Sequence, residues 1–319
     1  MISKRVYLFS PIVLGLYLLL NSGSLSCQKK SGTATGVDKD SISFIVIGDW
    51  GKDGIPIQKK VARQMAVYAR RFNAKFVIST GDNFYPSGVR DISDPHWQTS
   101  YENIYNKDSL PLKWFVVLGN HDYGINPQAE VDYTQSNGRW NMLARYYTIK
   151  KSINGADSIL FVFTDTSPFV SSYHSAQPAM SDLNQQDTAA QINWLSTTLR
   201  SSGDRWKIVV GHHPVYSDGP HGNTVELVQR FQPLLIRGNA NFYLAGHDHD
   251  LEYIQPVNEP VHYLVSGGGS ESYPILSNAN ALFAQATAGF LIMTIYSSKA
   301  NFYFISDDGE LLYQQQVTR

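Results

Sequence analysis

At 319 residues and 43% hydrophobic content, the chain carries enough apolar material for one large α/β domain or two small ones. A net charge of −1 and a pI near 6.7 exclude an overall basic field that would draw in nucleic acid or anionic lipid, so an anionic substrate has to be held by local groups. A single cysteine excludes an intrachain disulfide.

The first element is a separate object. Lys4 and Arg5 precede VYLFSPIVLGLYLLL and then small and polar residues, the three-part layout of an export signal over residues 1–26. A spanning anchor is disfavoured, because a helix across a bilayer needs about 20 apolar residues and this run is shorter and contains Pro11. Cys27, in GSLSC, resembles the lipidated cysteine of bacterial lipoproteins, although the usual leucine three residues before it is here two before, at Leu25. That resemblance implies a lipid anchor and a periplasmic or cell-surface location. Residues 27–40 are polar and rich in Gly, Ser and Thr, which fits a flexible tether to a catalytic domain over 41–319.

From Ser41, short apolar runs alternate with helical stretches: SFIVIG, a helix PIQKKVARQMAVYARRF, KFVIS, a polar helix-like span from His96 to Tyr105, and KWFVVLG. LFVFTD, a helix from Thr188 to Arg200, WKIVVG, a helix from Thr224 to Ile236 and NFYLAG follow. Continuous apolar strands spaced by helices predict a parallel sheet covered on both faces. VHYLVSG, GFLIMTIY, ANFYFISD and ELLYQQQV then predict strands in hairpins.

Five of these strands end alike, in GDWG, TGDNFY, LGNHDY, GHHPVY and GHDHD. In open α/β sheets ligands bind outside the carboxyl ends of the strands, and the glycines permit tight turns there. One Gly-Asp turn is ordinary; five on one edge are hard to ascribe to turn chemistry. Carboxylates, imidazoles and an amide without thiolate suit first-row transition metals rather than a cysteine-based structural zinc site or an oxygen-only calcium or magnesium site. Asp49, Asp82, Tyr85, Asn120, His212, His247 and His249 exceed the need of one ion, and a carboxylate such as Asp82 can bridge two ions about 3.5 to 4 Å apart. Such a pair serves phosphoryl transfer, with His121 and His221 free to deliver a proton to the leaving group.

The ordered set GDWG, GDNFY, GNHD, GHHP and GHDH resembles the metallophosphoesterase superfamily and, within it, the purple acid phosphatases of the small, mammalian-type tartrate-resistant branch. GVRDISD, RWN, QINWL, HG at His221 and YLVSGGG extend the likeness to the C-terminus. The resemblance implies an α/β fold, a four-layer αββα sandwich of two mixed sheets flanked by helices. It implies Fe(III) on Asp49, Tyr85 and His249, Asp82 bridging, and a second divalent metal (Fe, Zn or Mn) on Asn120, His212 and His247. His121 and His221 would bind phosphate and assist the leaving group while a metal-bound hydroxide attacks a phosphomonoester. Members of the wider superfamily carry a histidine two positions after the first aspartate; Gly51 stands there, and Tyr85 takes its place as ligand.

The branch's disulfide cannot form here, and residues 167–187 occupy the place of its active-site loop, with the Ser- and Gln-rich makeup of a mobile surface loop. His213 fits packing or ligand support, and His96, His174 and His262 fit surface or structural roles. Asp165 fits a loop cap; Asp122, Asp248, Asp250 and Glu252 fit either ligand support or solvated turns. GGGS at Gly267 lacks the lysine and helix of a phosphate loop and fits a tight turn near the cleft. The expected partner is a phosphate ester, with no nucleic acid and no membrane except through the signal or lipid anchor; the oligomeric state stays open. A phosphodiesterase or nucleotide phosphoesterase of the same fold, and an iron-loaded surface redox or binding protein, are the competing readings.

Overall fold

A computed structural model describes residues 40–176, 180–277 and 279–319. The expected export signal and the tether up to residue 39, with Cys27, lie outside the described residues. In chain order the elements are β1 (Ser41–Ile47), α1 (Pro56–Phe72), β2 (Phe76–Ser79), β3 (Lys113–Val116), α2 (Gln128–Tyr133), β4 (Trp140–Asn141), β5 (Tyr147–Ser152) and β6 (Ser158–Phe163). Then come α3 (Thr188–Ser201), β7 (Trp206–Val210), α4 (Val225–Arg230), α5 (Gln232–Arg237), β8 (Phe242–Ala245), β9 (Leu251–Ile254), β10 (His262–Ser266), β11 (Ala281–Gln285), β12 (Gly289–Tyr296), β13 (Lys299–Ser306) and β14 (Leu311–Thr318). Among the described residues no helix is long and apolar enough to cross a membrane.

The strands form two mixed seven-stranded sheets, ordered β14-β13-β12-β1-β2-β3-β4 and β11-β9-β10-β8-β7-β6-β5. Pleating decides how they stack, because successive side chains leave opposite faces of a strand. Along β7, Trp206, Ile208 and Val210 join the core shared by both sheets, whereas Val209 joins an outer cluster with Leu195 and Leu199 of α3 and Leu227, Leu234 and Leu235 of α4 and α5. Phe44 and Phe76 of the first sheet meet Phe161 of the second edge-on, with centroids 5.2 and 5.5 Å apart. On the first sheet's other face lies α1, whose Val61, Met65 and Ala69 recur every fourth residue on its buried side, with Tyr68 against Phe290 of β12. The order helix, sheet, sheet, helix gives the four-layer sandwich.

Several sequence expectations change. The parallel run is not one sheet: β1, β2, β3 and β4 are parallel in the first, and β6, β7, β8 and β10 in the second. VHYLVSG does not enter a hairpin with GFLIMTIY; β10 pairs antiparallel with β9 and parallel with β8, and β12 crosses to pair antiparallel with β1. The sequence conceals β9 because Glu252 interrupts its apolar run, although all four residues are buried. The helix expected over Thr224 to Ile236 is two helices, parted at Phe231 just before Pro233, whose ring nitrogen offers no proton to the helical ladder. α1, by contrast, has the expected bounds, starting on Pro56 and ending as Asn73 turns left-handed at φ 51°.

Candidate metal centre

The carboxyl ends of β1, β2 and β3 in one sheet meet those of β7 and β8 in the other, so five turns converge where the sequence placed a single edge. Backbone bonds sew the turns together: Asp49 N–H donates to Gly81 O at 3.0 Å, Gly246 N–H to His212 O at 2.9 Å and, across the sheets, Gly48 N–H to Ser266 O at 2.7 Å. Three residues here are left-handed without being glycine, Asp49 at φ 61°, Asp82 at φ 49° and His247 at φ 71°, and such strain concentrates at functional sites. Gly119 is required for approach, since a Cβ there would sit 2.1 Å from Asp82 Oδ1.

All seven expected ligands come together. Tyr85 Oη lies 3.1 Å from Asp49 Oδ1, 3.0 Å from Asp82 Oδ2 and 3.0 Å from His249 Nε2. A phenol has one proton, so with two carboxylate oxygens and an imidazole nitrogen crowding one hydroxyl at least one carboxylate goes without that proton, a set that a cation would complete. The second set surrounds His212 Nε2, which is 3.4 Å from Asp82 Oδ2, 3.1 Å from Asn120 Oδ1 and 3.2 Å from His247 Nδ1. His212 Nδ1 faces Thr80 O at 2.9 Å, and because a carbonyl only accepts, the proton resides on Nδ1 and the Nε2 lone pair turns inward. Asp82 Oδ2 belongs to both sets.

The electrostatics agree with a cation-binding cluster. Burial, with Asp82 beside it, raises Asp49 well above the usual carboxylate range. Burial also opposes ionisation of Asp82, yet the neighbouring His212 holds that carboxyl far below its usual value. His212 is pushed up to about 9: burial works against its charge and Asp82 prevails. Burial lowers His249 to about 4, takes His247 well down, and raises the Tyr85 phenol further with Asp49 and Asp82 adding to it. A cation entering this cluster would replace the protons that Asp49, His212 and Tyr85 hold.

His121 and His221 flank the cluster rather than enter it. The His121 ring lies 4.4 Å from that of Tyr85, its Nδ1 donates to Pro86 O at 2.7 Å, and its Nε2 is 3.9 Å from Asp82 Oδ2. The His221 ring lies 4.2 Å from that of His247, with Nδ1 donating to Asp248 Oδ1 at 2.7 Å. Both side chains are about 40% exposed, 39% and 44%; His121 turns its Nε2 toward Asp82, whereas among the described residues His221 Nε2 has no hydrogen-bond partner.

Of the residues left between ligand support and solvated turn, Asp122, Asp248 and Glu252 resolve to support. Asp122 is fully buried and accepts from the N–H groups of Asn83, Phe84 and Gly119 at 2.9, 3.1 and 2.8 Å, clamping the turn of Asp82 and Tyr85 to that of Asn120. Asn83 continues inward to Val117 O and Glu130 Oε2, both at 2.9 Å. Asp248 also accepts from Ser217 Oγ at 2.5 Å, and Ser217 lies 2.8 Å from Glu252. His213 touches the cluster, but its ring nitrogens face Thr166 Oγ1 and Tyr173 Oη at 2.8 and 3.0 Å, which fits support. His262 bonds Tyr253 and His174 bonds Pro168 O, each away from the ligands. The GGGS turn packs on the first ligand turn through Gly269 N–H to Gly48 O at 3.1 Å. In the segment after Ser167, among its described residues Phe169 and Leu183 are buried and Arg145 bonds Asp182 at 2.6 Å, while Ser171, Ser172 and His174 are exposed as the surface-loop reading expects. Sequence reasoning missed Asn83, Glu130 and Tyr273, whose ring stacks on His249 at 4.1 Å; none carries a motif of its own.

The calcineurin-like phosphoesterase family matches residues 42–251. Purple acid phosphatase 4 of Arabidopsis thaliana is 35% identical over 88% of this chain and 84% of its own length. The chain belongs to the purple acid phosphatases. Human tartrate-resistant acid phosphatase type 5 is 31% identical over 88% of this chain and 91% of its own. Among solved structures, GAP50, described as the anchor in the inner membrane complex of Plasmodium, superposes with TM-score 0.76 at 25% identity, covering 87% of this chain and 89% of that one. A purple acid phosphatase from yellow lupin seeds shares the fold at TM-score 0.64 and 15% identity over 88% of this chain and 54% of that one.

Proposed function

We propose that the protein is a binuclear metal-dependent acid phosphatase that hydrolyses phosphomonoesters. The observation that carries the reading is the shared carboxylate: Asp82 Oδ2 stands 3.0 Å from Tyr85 Oη and 3.4 Å from His212 Nε2, at the junction of two donor sets. Asp49 and Tyr85 offer hard anionic donors that, with the His249 imidazole, suit Fe(III), and Asn120, His212 and His247 offer neutral donors that suit a divalent iron, zinc or manganese ion. When bound, the two ions supply Lewis acidity toward the phosphoryl oxygens and lower the pKa of water.

The chain's own groups do the rest. His121, beside Tyr85 with Nε2 toward Asp82, and His221, beside His247, flank the cluster and would contact a phosphoryl group and its leaving oxygen from two directions. Asp248 holds the His221 Nδ1 proton and steadies the imidazolium, so a second proton on Nε2 is available to the departing alkoxide. Turnover of nitrophenyl phosphate against its bis-ester tests the substrate class: the phosphomonoesterase reading expects the monoester to dominate, and preference for the diester moves the protein to the phosphodiesterase reading.

The likeness to a protein described as a membrane-complex anchor favours a second reading, a surface scaffold whose hydrolysis is incidental. Substituting Asn120→Ala and His121→Ala separates the two, because a scaffold keeps its biological role without them. The N-terminal segment supports export through residues 1–26 and anchoring through acylated Cys27, which mass spectrometry of the mature N-terminus tests directly.

A further inference from the structure

The end of the sandwich opposite the ligand turns gathers lysines. Lys75 precedes β2, Lys113 opens β3, and Lys151 lies near the end of β5, whose partner β6 begins at the same pole. The three surround a hollow of about 150 Å³ floored by Ile42, Phe76 and Phe115. Lys151 bridges the sheets there, its Nζ 5.6 Å from the ring centre of Phe76 and 5.0 Å from that of Phe115. Among the described residues no ion pair joins any of the three to a carboxylate, whereas the adjacent Lys150 is paired with Asp204 at 2.7 Å. Burial and the charge of Lys113 both press the Lys151 ammonium downward, the mark of cations gathered without a counter-charge. Arg205, Lys299 and Arg319 extend the patch across the second sheet and the last hairpin, against the carboxylates of Asp40, Asp157 and Asp204.

Two further facts fix the occupant. Ser41, where β1 begins, is at this pole beside Ile42, so the tether of residues 27–40 joins the sandwich here, carrying Cys27, whose acylation belongs to the proposed function on which this inference rests. The whole chain carries only one net negative charge, so the patch reflects a separation of charge between two ends rather than a basic protein. We propose that the pole formed by Lys75, Lys113 and Lys151 docks on an anionic lipid surface, turning the metal-ligand end toward solvent. The lysines meet headgroup phosphates while Ile42, Phe76 and Phe115 lie beneath them, and the ligand turns at the far end stay open to substrate.

The test is flotation of the full chain with vesicles of phosphatidylcholine alone and of phosphatidylcholine mixed with phosphatidylglycerol, at low and high salt. Each lysine near an anionic surface contributes about fivefold in affinity, so Lys75→Glu with Lys113→Glu and Lys151→Glu is expected to weaken the phosphatidylglycerol-dependent part about a hundredfold or more. The part seen on phosphatidylcholine, contributed by acylated Cys27, stays unchanged. A control carrying Lys59→Glu, Arg63→Glu and Arg70→Glu on the exposed side of α1 changes charge equally and is expected to keep most of the preference. Unchanged turnover of nitrophenyl phosphate and an unchanged melting curve show that each variant is folded. Retention of the anionic preference by the first variant, an equal loss in the control, or wild-type binding indifferent to salt and lipid charge overturns the proposal.

Discussion

Replacing Asp122 by Asn tests whether a buried carboxylate holds the ligand turns in register. Oδ1 accepts from the N–H groups of Asn83 and Phe84, and Oδ2 from that of Gly119. An asparagine keeps one oxygen and puts an NH2 group where the other was, so at least one buried backbone N–H faces a donor. An orphaned buried donor costs about 1 to 3 kcal/mol, and losing the charge from the remaining bonds brings the total to about 2 to 4 kcal/mol. For a domain of this size that lowers Tm by about 5 to 10 °C. Burial, then the charge of Asp82, pushes Asp122 up to about 6, so the comparison belongs near pH 7.5, where the wild-type group is ionised. Scanning calorimetry with metal analysis of the same samples reads both effects, and the variant is expected to melt early and to bind less metal. A variant within about 0.5 kcal/mol of wild type and fully loaded would refute the clamp.

Three further outcomes follow from the same geometry. His221→Asn is expected to lower kcat about a hundred- to ten-thousandfold on alkyl phosphates and far less on nitrophenyl phosphate, whose leaving group needs no proton; equal losses on both substrates contradict proton delivery. Gly119→Ala drives a Cβ to 2.1 Å from Asp82 Oδ1, so the variant should lose metal while its fold, followed by circular dichroism, persists. Burial raises Asp165 to about 6 from 3.8, so the folded chain holds the extra proton. That stabilisation is full below the unfolded pKa and is lost as pH rises through the folded one, about 3 kcal/mol in all. Urea midpoints from pH 4 to 7 should show this fall in wild type and a much smaller one in Asp165→Asn; parallel curves would contradict it.

Six of the seven candidate ligands were legible because each follows an apolar strand and the glycine that ends it. Tyr85 was legible only by contrast with Gly51, which cannot ligate. The clamp behind them was not, because Asp122, Asn83 and Glu130 act through backbone amides and through each other, and such bonds leave no periodic trace in a sequence. The resemblance implied two mixed sheets, but which parallel strands belong to which sheet was hidden in the strand pattern for a related reason. β5, YTIKKS, alternates polar and apolar residues and reads as surface, and β4 is only two residues long, so the joint between the sheets fell in what resembled loop. α4 and α5 share one amphipathic pattern, and the proline that parts them is compatible with either a kink or a break.

The most direct test of the central claim is the metal content and visible spectrum of the purified protein. Two ions per chain, at least one of them iron, with a purple or pink tyrosinate band that disappears in Tyr85→Phe, is the predicted result. A colourless protein holding only zinc, with a spectrum indifferent to Tyr85, would contradict the assignment of Asp49, Tyr85 and His249 to Fe(III).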